Sequence, residues 1–152
     1  MVSLLLILVS TASCGDPVDP DPVPLTGRWE GFVGYGTHPV SINGQLVMII
    51  AEDRTCTLDG VVSGNITAWG DFELRFTGTI YVDMTTTALG EVTVTRIRAG
   101  ADTVQITATM SGQFDLRKAY VMGSWESNPG EVFGAAGDWG AIRKEEVPRG
   151  LR

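Results

Sequence analysis

The chain has 152 residues, 43% hydrophobic and 19% charged, which suits one domain with a core and argues against a disordered chain. A formal net charge of −7 is the wrong sign for nucleic acid and gives no help in docking to anionic lipid headgroups. No apolar run approaches the roughly 18–20 residues that a bilayer helix needs, so any membrane attachment has to come from something else.

The N-terminus carries an address. Leu4-Leu5-Leu6-Ile7-Leu8-Val9 is an apolar run of signal-peptide length, followed by small residues suited to cleavage. Thr11-Ala12-Ser13-Cys14, with Gly15 behind it, resembles the processing box of bacterial lipoproteins, although Thr11 stands where leucine is usual. The resemblance implies that Cys14 takes diacylglycerol, becomes the new N-terminus and holds the chain to a membrane by two to three acyl chains, palmitate-type. Ordinary secretory cleavage after Ser10 and Ala12 is the alternative. It would leave Cys14 a thiol, free to pair with Cys56 in an oxidising compartment and giving a secreted or periplasmic soluble protein.

Gly15-Asp16-Pro17-Val18-Asp19-Pro20-Asp21-Pro22-Val23-Pro24 alternates proline with acid. Proline fixes φ and like charges repel, so the stretch is expected to be an extended spacer rising ~3.1 Å per residue, a reach of roughly 30 Å. The organisation read from the sequence is therefore a signal peptide over 1–13, a Pro/Asp-rich tether over 14–25, a β domain over 26–144 and a flexible tail over 145–152.

Beyond Gly27 the dominant period is two. Phe72, Leu74, Phe76, Ile80, Val82 and Met84 alternate with Asp71, Glu73, Arg75, Thr77, Thr79 and Asp83; Val104, Ile106, Ala108, Met110 and Phe114 do the same against Thr103, Gln105, Thr107, Thr109 and Ser111. Cys56, Leu58, Val62 and Ile66 continue the pattern, and Trp29 and Val33 begin it. These are antiparallel strands buried on one side. Thr77-Gly78 is capable of a hairpin turn, but unbroken alternation across it favours one long strand bent or bulged at Gly78. The predicted strands are 28–35, 45–52, 55–66, 71–84, 91–98, 103–114, 119–126 and 137–143. An even count of long strands with short turns predicts an all-β, antiparallel up-and-down barrel of about eight strands, which leaves no exposed edge; a two-sheet β-sandwich is the alternative.

Gly27-Arg28-Trp29 resembles the G-x-W opening of lipocalin-like (calycin) barrels. The resemblance implies that Trp29 plugs one end of the barrel and that Arg143, on the last strand, covers it. Leu25 to Trp29 also resembles the first strand of avidins, but avidin's biotin-contacting residues have no counterparts that can be placed here. Gly123-Ser124-Trp125 and Gly137-Asp138-Trp139 repeat the G-x-W spacing without amounting to an internal repeat.

In a simple meander the connections 36–44, 67–70, 99–102 and 127–136 gather at one mouth. They would bring together Tyr35, His38, Trp69, Asp102, Asn128, Glu131 and Phe133, aromatic and polar groups of the kind that line ligand sites. The interior is either open or filled by Phe72, Phe76, Ile80, Met84, Met110 and Phe114, since an eight-stranded barrel is just wide enough for its own side chains. Catalysis has little to build on. One histidine in a loop before Pro39 and two cysteines offer no nucleophile–base pair and no metal-ligand spacing, and Glu30, Asp71, Glu73 and Asp83 fall on the polar face. The expectation is a non-enzymatic, cofactor-free lipoprotein of the bacterial cell envelope that binds a small hydrophobic ligand at the mouth. Its alternative is a structural or protein-interaction lipoprotein with a filled barrel.

Overall fold

Period-two alternation carries through into eight strands in a computed structural model that describes residues 20–36 and 42–145. They are β1 (Gly27–Tyr35), β2 (Ile42–Ile50), β3 (Thr55–Ile66), β4 (Gly70–Val82), β5 (Thr87–Arg98), β6 (Val104–Asp115), β7 (Tyr120–Ser127) and β8 (Ala136–Arg143). Each pairs antiparallel with the next, and β1 also pairs with β8, from Trp29 opposite Arg143 to Val33 opposite Trp139. The sheet is a closed up-and-down barrel, so no strand presents a free row of amides. Cys14, His38 and the signal segment lie outside the described residues.

β4 is one strand across Thr77-Gly78. Its register against β3 and β5 is the same on both sides of Gly78, so no residue is bulged out. On this strand the expected inward set holds from Phe72 to Val82 but not at Met84, which is 79% exposed. The strand ends at Val82, and the amides of Thr85 and Thr87 both donate to the Asp83 carboxylate, folding Asp83–Thr86 into a turn that carries Met84 outward.

The interior is filled. Trp29, Trp125, Trp139, Phe76, Leu74, Met48 and Met110 are fully buried, and no charged or polar residue joins them among the described residues. Trp29 packs edge-on against Phe114 at 4.9 Å near one end, and Phe76 packs edge-on against Trp125 at 4.8 Å further up. Buried indoles need acceptors for their N–H groups, and each finds a backbone carbonyl: Leu25 for Trp29, Gly34 for Trp125, Ser111 and Ser124 for Trp139.

The end where β1 begins is closed by the chain leading into it. The Val23 amide donates to the Leu116 carbonyl, and Val23 and Leu25 pack against the core. Arg143, opposite Trp29 and on its face, donates from Nε to the Pro24 carbonyl and from a terminal nitrogen to that of Lys144. Its guanidinium lies over Gly27, where a Cβ would approach it to 2.7 Å.

Candidate functional site

The opposite end is built differently. Tyr35 finishes β1, Trp69 sits in the turn between β3 and β4, Phe72 is the third residue of β4, and Phe133 lies in the connection between β7 and β8. Their rings form one cluster. Tyr35 stacks on Trp69 at 5.2 Å, Phe72 stands edge-on to Tyr35 at 5.5 Å and to Trp69 at 5.4 Å, and Phe133 is edge-on to Trp69 at 5.8 Å. Into this cluster comes Arg96 from β5. Its guanidinium carbon is 4.9 Å from the Trp69 ring centre and 4.3 Å from that of Phe133, within cation–π range of both.

Register explains why an arginine is there. Arg96 stands opposite Leu74 on β4, and Arg98 opposite Phe72, both of which face inward. Directly opposed residues share a face, so both arginines belong to the inner side of the barrel at its mouth. Val94 and Val92, two and four residues before Arg96, are buried on that face. The strand's inward column thus changes from valine to arginine where the barrel opens.

Neither guanidinium meets a carboxylate among the described residues. The Nε atoms of Arg96 and Arg98 are buried with no hydrogen-bond partner, and neither residue belongs to an ion pair among the described residues. Two nearby carboxylates are engaged on the outer wall: Asp71 accepts from Asn65, and Glu73 pairs with Arg75. Burial raises the Tyr35 phenol above its ordinary value, and the positive charge of Arg96 opposes that rise.

Of the residues expected at the mouth, Tyr35, Trp69 and Phe133 come together. Asn128 and Glu131 do not join them. The Asn128 side-chain carbonyl accepts from Thr109 Oγ1 and its amide donates to Glu91, while Glu131 accepts the Thr107 backbone N–H at 2.8 Å. Thr107, Thr109 and Glu91 alternate with the inward residues of β5 and β6, so the connection is pinned to the outer wall at Asn128 and Glu131. Asp102 is exposed in the turn between β5 and β6. Arg96 and Phe72 complete the cluster, and Arg98 stands on the same face opposite Phe72. The signal for the two arginines was the alternation Val92-x-Val94-x-Arg96-x-Arg98.

A second concavity lies on the outer wall where β7, β8, β1 and β2 run side by side. It is an open groove of about 860 Å³ with Phe32, Val47, Met122 and Ile142 along it and Arg28, Glu30 and Lys144 at one end. Those charges are matched, Glu30 pairing with both Arg28 and Lys144. The Arg28 hydrogen bond leads the causes that hold the Glu30 carboxyl below its ordinary value. Gly140 forms part of the floor, and a Cβ there would meet Met122 Sδ at 2.6 Å. No family model, curated protein or solved structure matches the chain.

Proposed function

We propose that this chain is an exported lipoprotein of the bacterial cell envelope, held to a membrane through acyl chains on Cys14, which works by binding at the mouth of a lipocalin-like barrel and performs no catalysis. One observation carries the reading: the spacer joins the barrel at one end, through Val23 and Pro24, and the aromatic–arginine cluster lies at the other. A domain anchored through that spacer turns the cluster away from the bilayer, toward whatever it meets. Because the interior is packed with its own side chains, the binding surface is the rim and not a deep apolar cavity. The buried thiol of Cys56 fits the same reading, since a core cysteine is not placed to pair with Cys14.

The filled barrel equally supports a second reading, a protein-interaction lipoprotein that uses its walls; the exposed Met122 and Ile142 beside the outer groove favour it. Detergent phase partitioning of the wild type and of Cys14→Ser tests the anchor. The wild type is expected in the detergent phase and the variant in the aqueous phase; two water-soluble proteins would remove the lipid tether. Substitution of Trp69 by Leu against substitution of Met122 by Asp, read in a binding assay on envelope extract, separates rim from wall.

A further inference from the structure

We infer that the mouth is an oxyanion site, and that its ligand is a small molecule carrying a carboxylate, sulfate or phosphate on a flat ring. This rests on the mouth being the working end. The placement of charge points to it. Arg96 and Arg98 are two residues apart on one strand face, about 7 Å between Cα atoms, so two like charges share the inner rim. Both Nε–H groups are buried without an acceptor, an arrangement that native proteins rarely leave unfilled.

The chain itself has little to fill it with. Thr37-His38-Pro39-Val40-Ser41, which connects β1 to β2 at this end, contains no Asp or Glu. Glu131 spends its carboxylate on the Thr107 amide, and Asp71 and Glu73 are bonded on the outer wall. In a chain of net charge −7, two cations on one inward column, unpaired among the described residues, are a local reversal of sign. An oxyanion is the chemistry that answers it, because a guanidinium presents its N–H donors as a planar fork matched to two oxygens.

The ring requirement comes from the surroundings. Arg96 is already flanked by Trp69 and Phe133, and Tyr35 and Phe72 extend the apolar surface. An anion without an apolar body would leave that surface wet; one borne on a ring covers it and uses the fork together.

Calorimetric titration of the full chain in detergent micelles, against micelles alone, tests the inference with three probes. 2-Naphthoate is expected to bind; its neutral isostere 2-naphthamide is not; inorganic phosphate is expected to bind at least tenfold more weakly than naphthoate. Arg96→Gln and Arg98→Gln should each weaken naphthoate tenfold or more, with Arg98→Lys in between because it keeps charge and loses the fork. Melting curves check that each variant is folded, and Arg98→Lys keeps the test open if a glutamine variant is not. Equal binding of naphthoate and naphthamide, both lost in Trp69→Leu, overturns the oxyanion site while the mouth stands. Phosphate binding as tightly as naphthoate overturns the ring requirement. No binding by either anion overturns the inference outright, and the anchor is still decided separately by partitioning.

Discussion

The indole of Trp139 occupies the space that a side chain on Gly123 would need: a Cβ there would lie 2.6 Å from Trp139 Nε1 and Cε2. The two residues are directly paired between β7 and β8. The same exchange recurs at each G-x-W. Gly137 leaves room for Trp125, with a Cβ-to-Nε1 distance of 2.8 Å, and Gly27 leaves room for Arg143. Glycine and tryptophan two residues apart face the same way in a strand, so each such segment sends one large ring inward and opens one gap for a ring or cation from elsewhere. That is why three tryptophans fit inside an eight-stranded barrel.

Gly123→Ala is therefore expected to be among the most damaging single-methyl additions in the chain. The added carbon meets Trp139 on one side and the Ser111 carbonyl on the other, and neither can retreat without breaking the ladder. Overpacking of this kind costs about 1–3 kcal/mol, and the upper part of that range is expected in urea unfolding. A variant with unchanged stability would mean that Trp139 does not lie over Gly123.

Much of this was legible beforehand, for a physical reason. Strands buried on one side have to alternate, so Phe72 to Val82 and Ile106 to Phe114 announced both their conformation and their inner face. Met84 broke the rule because the Asp83 carboxylate captured two amides ahead of it, a local turn outcompeting one more strand residue. At the mouth, the meander placed the right connections together, and Tyr35, Trp69 and Phe133 met. Asn128 and Glu131 went elsewhere because their partners, Thr109 and the Thr107 amide, lie on the outer face of β6, and nothing in a loop sequence specifies that hydrogen bonding. Arg96 and Arg98 were readable from alternation alone, but an inward arginine runs against the expectation of an apolar core.

Cys56 is expected to resist thiol reagents. Its side chain is fully buried, and burial pushes the thiol up from 9.0 to about 12, so almost no thiolate exists near neutrality. Iodoacetamide at pH 8 should leave it unmodified in the folded protein and label it in denaturant. The linkage has a defined sign: the folded pKa lies above the unfolded one, so the contribution is intact below about pH 9 and is lost as pH rises toward 12. Labelling of the native protein at the unfolded rate would contradict the packed core.

Asp83 should make the protein acid-sensitive. Its carboxyl is held below the ordinary value first by the Thr85 hydroxyl, then by the Thr87 and Thr85 amides, with the charge of Arg54 adding to them. The folded pKa is lowered, so the stabilisation is present above the unfolded value of 3.8 and disappears as pH falls through the folded one. Asp83→Ala should be less stable than wild type at pH 6, with the difference narrowing below pH 4. A gap that stays constant into acid would assign the effect to something other than ionisation.

Ala119→Gly is expected to stabilise. Three connections at the end where β1 begins finish on non-glycine residues in the left-handed region: Arg54 at φ 69°, Thr86 at 64° and Ala119 at 56°. Arg54 and Thr86 donate side-chain hydrogen bonds, to the carbonyls of Asp83 and Phe114, that a glycine would lose; Ala119 has only a methyl group. Relief of that strain is partly offset by the greater freedom of glycine in the unfolded chain, leaving a gain of about 0.5–1 kcal/mol in thermal unfolding. A loss of stability would show that the methyl group packs usefully.

Arg98→Met should raise stability and abolish anion binding together. The Arg98 Nε is buried with no acceptor, and an unsatisfied buried polar group costs about 1–3 kcal/mol. Unlike Arg96, it has no ring against its charge among the described residues to offset that cost. Methionine fills similar length along the inner column opposite Phe72 without a charge to desolvate. A gain of about 1 kcal/mol or more in urea unfolding, with naphthoate binding lost, is the pattern expected when a ligand site is maintained against the interest of the fold. Arg75→Met is the control, because Arg75 lies exposed on the outer face of the neighbouring strand beside Glu73 and should change neither quantity appreciably. If Arg98→Met instead destabilises the barrel, the guanidinium is a structural part of the rim, and the case for a bound oxyanion loses its energetic basis.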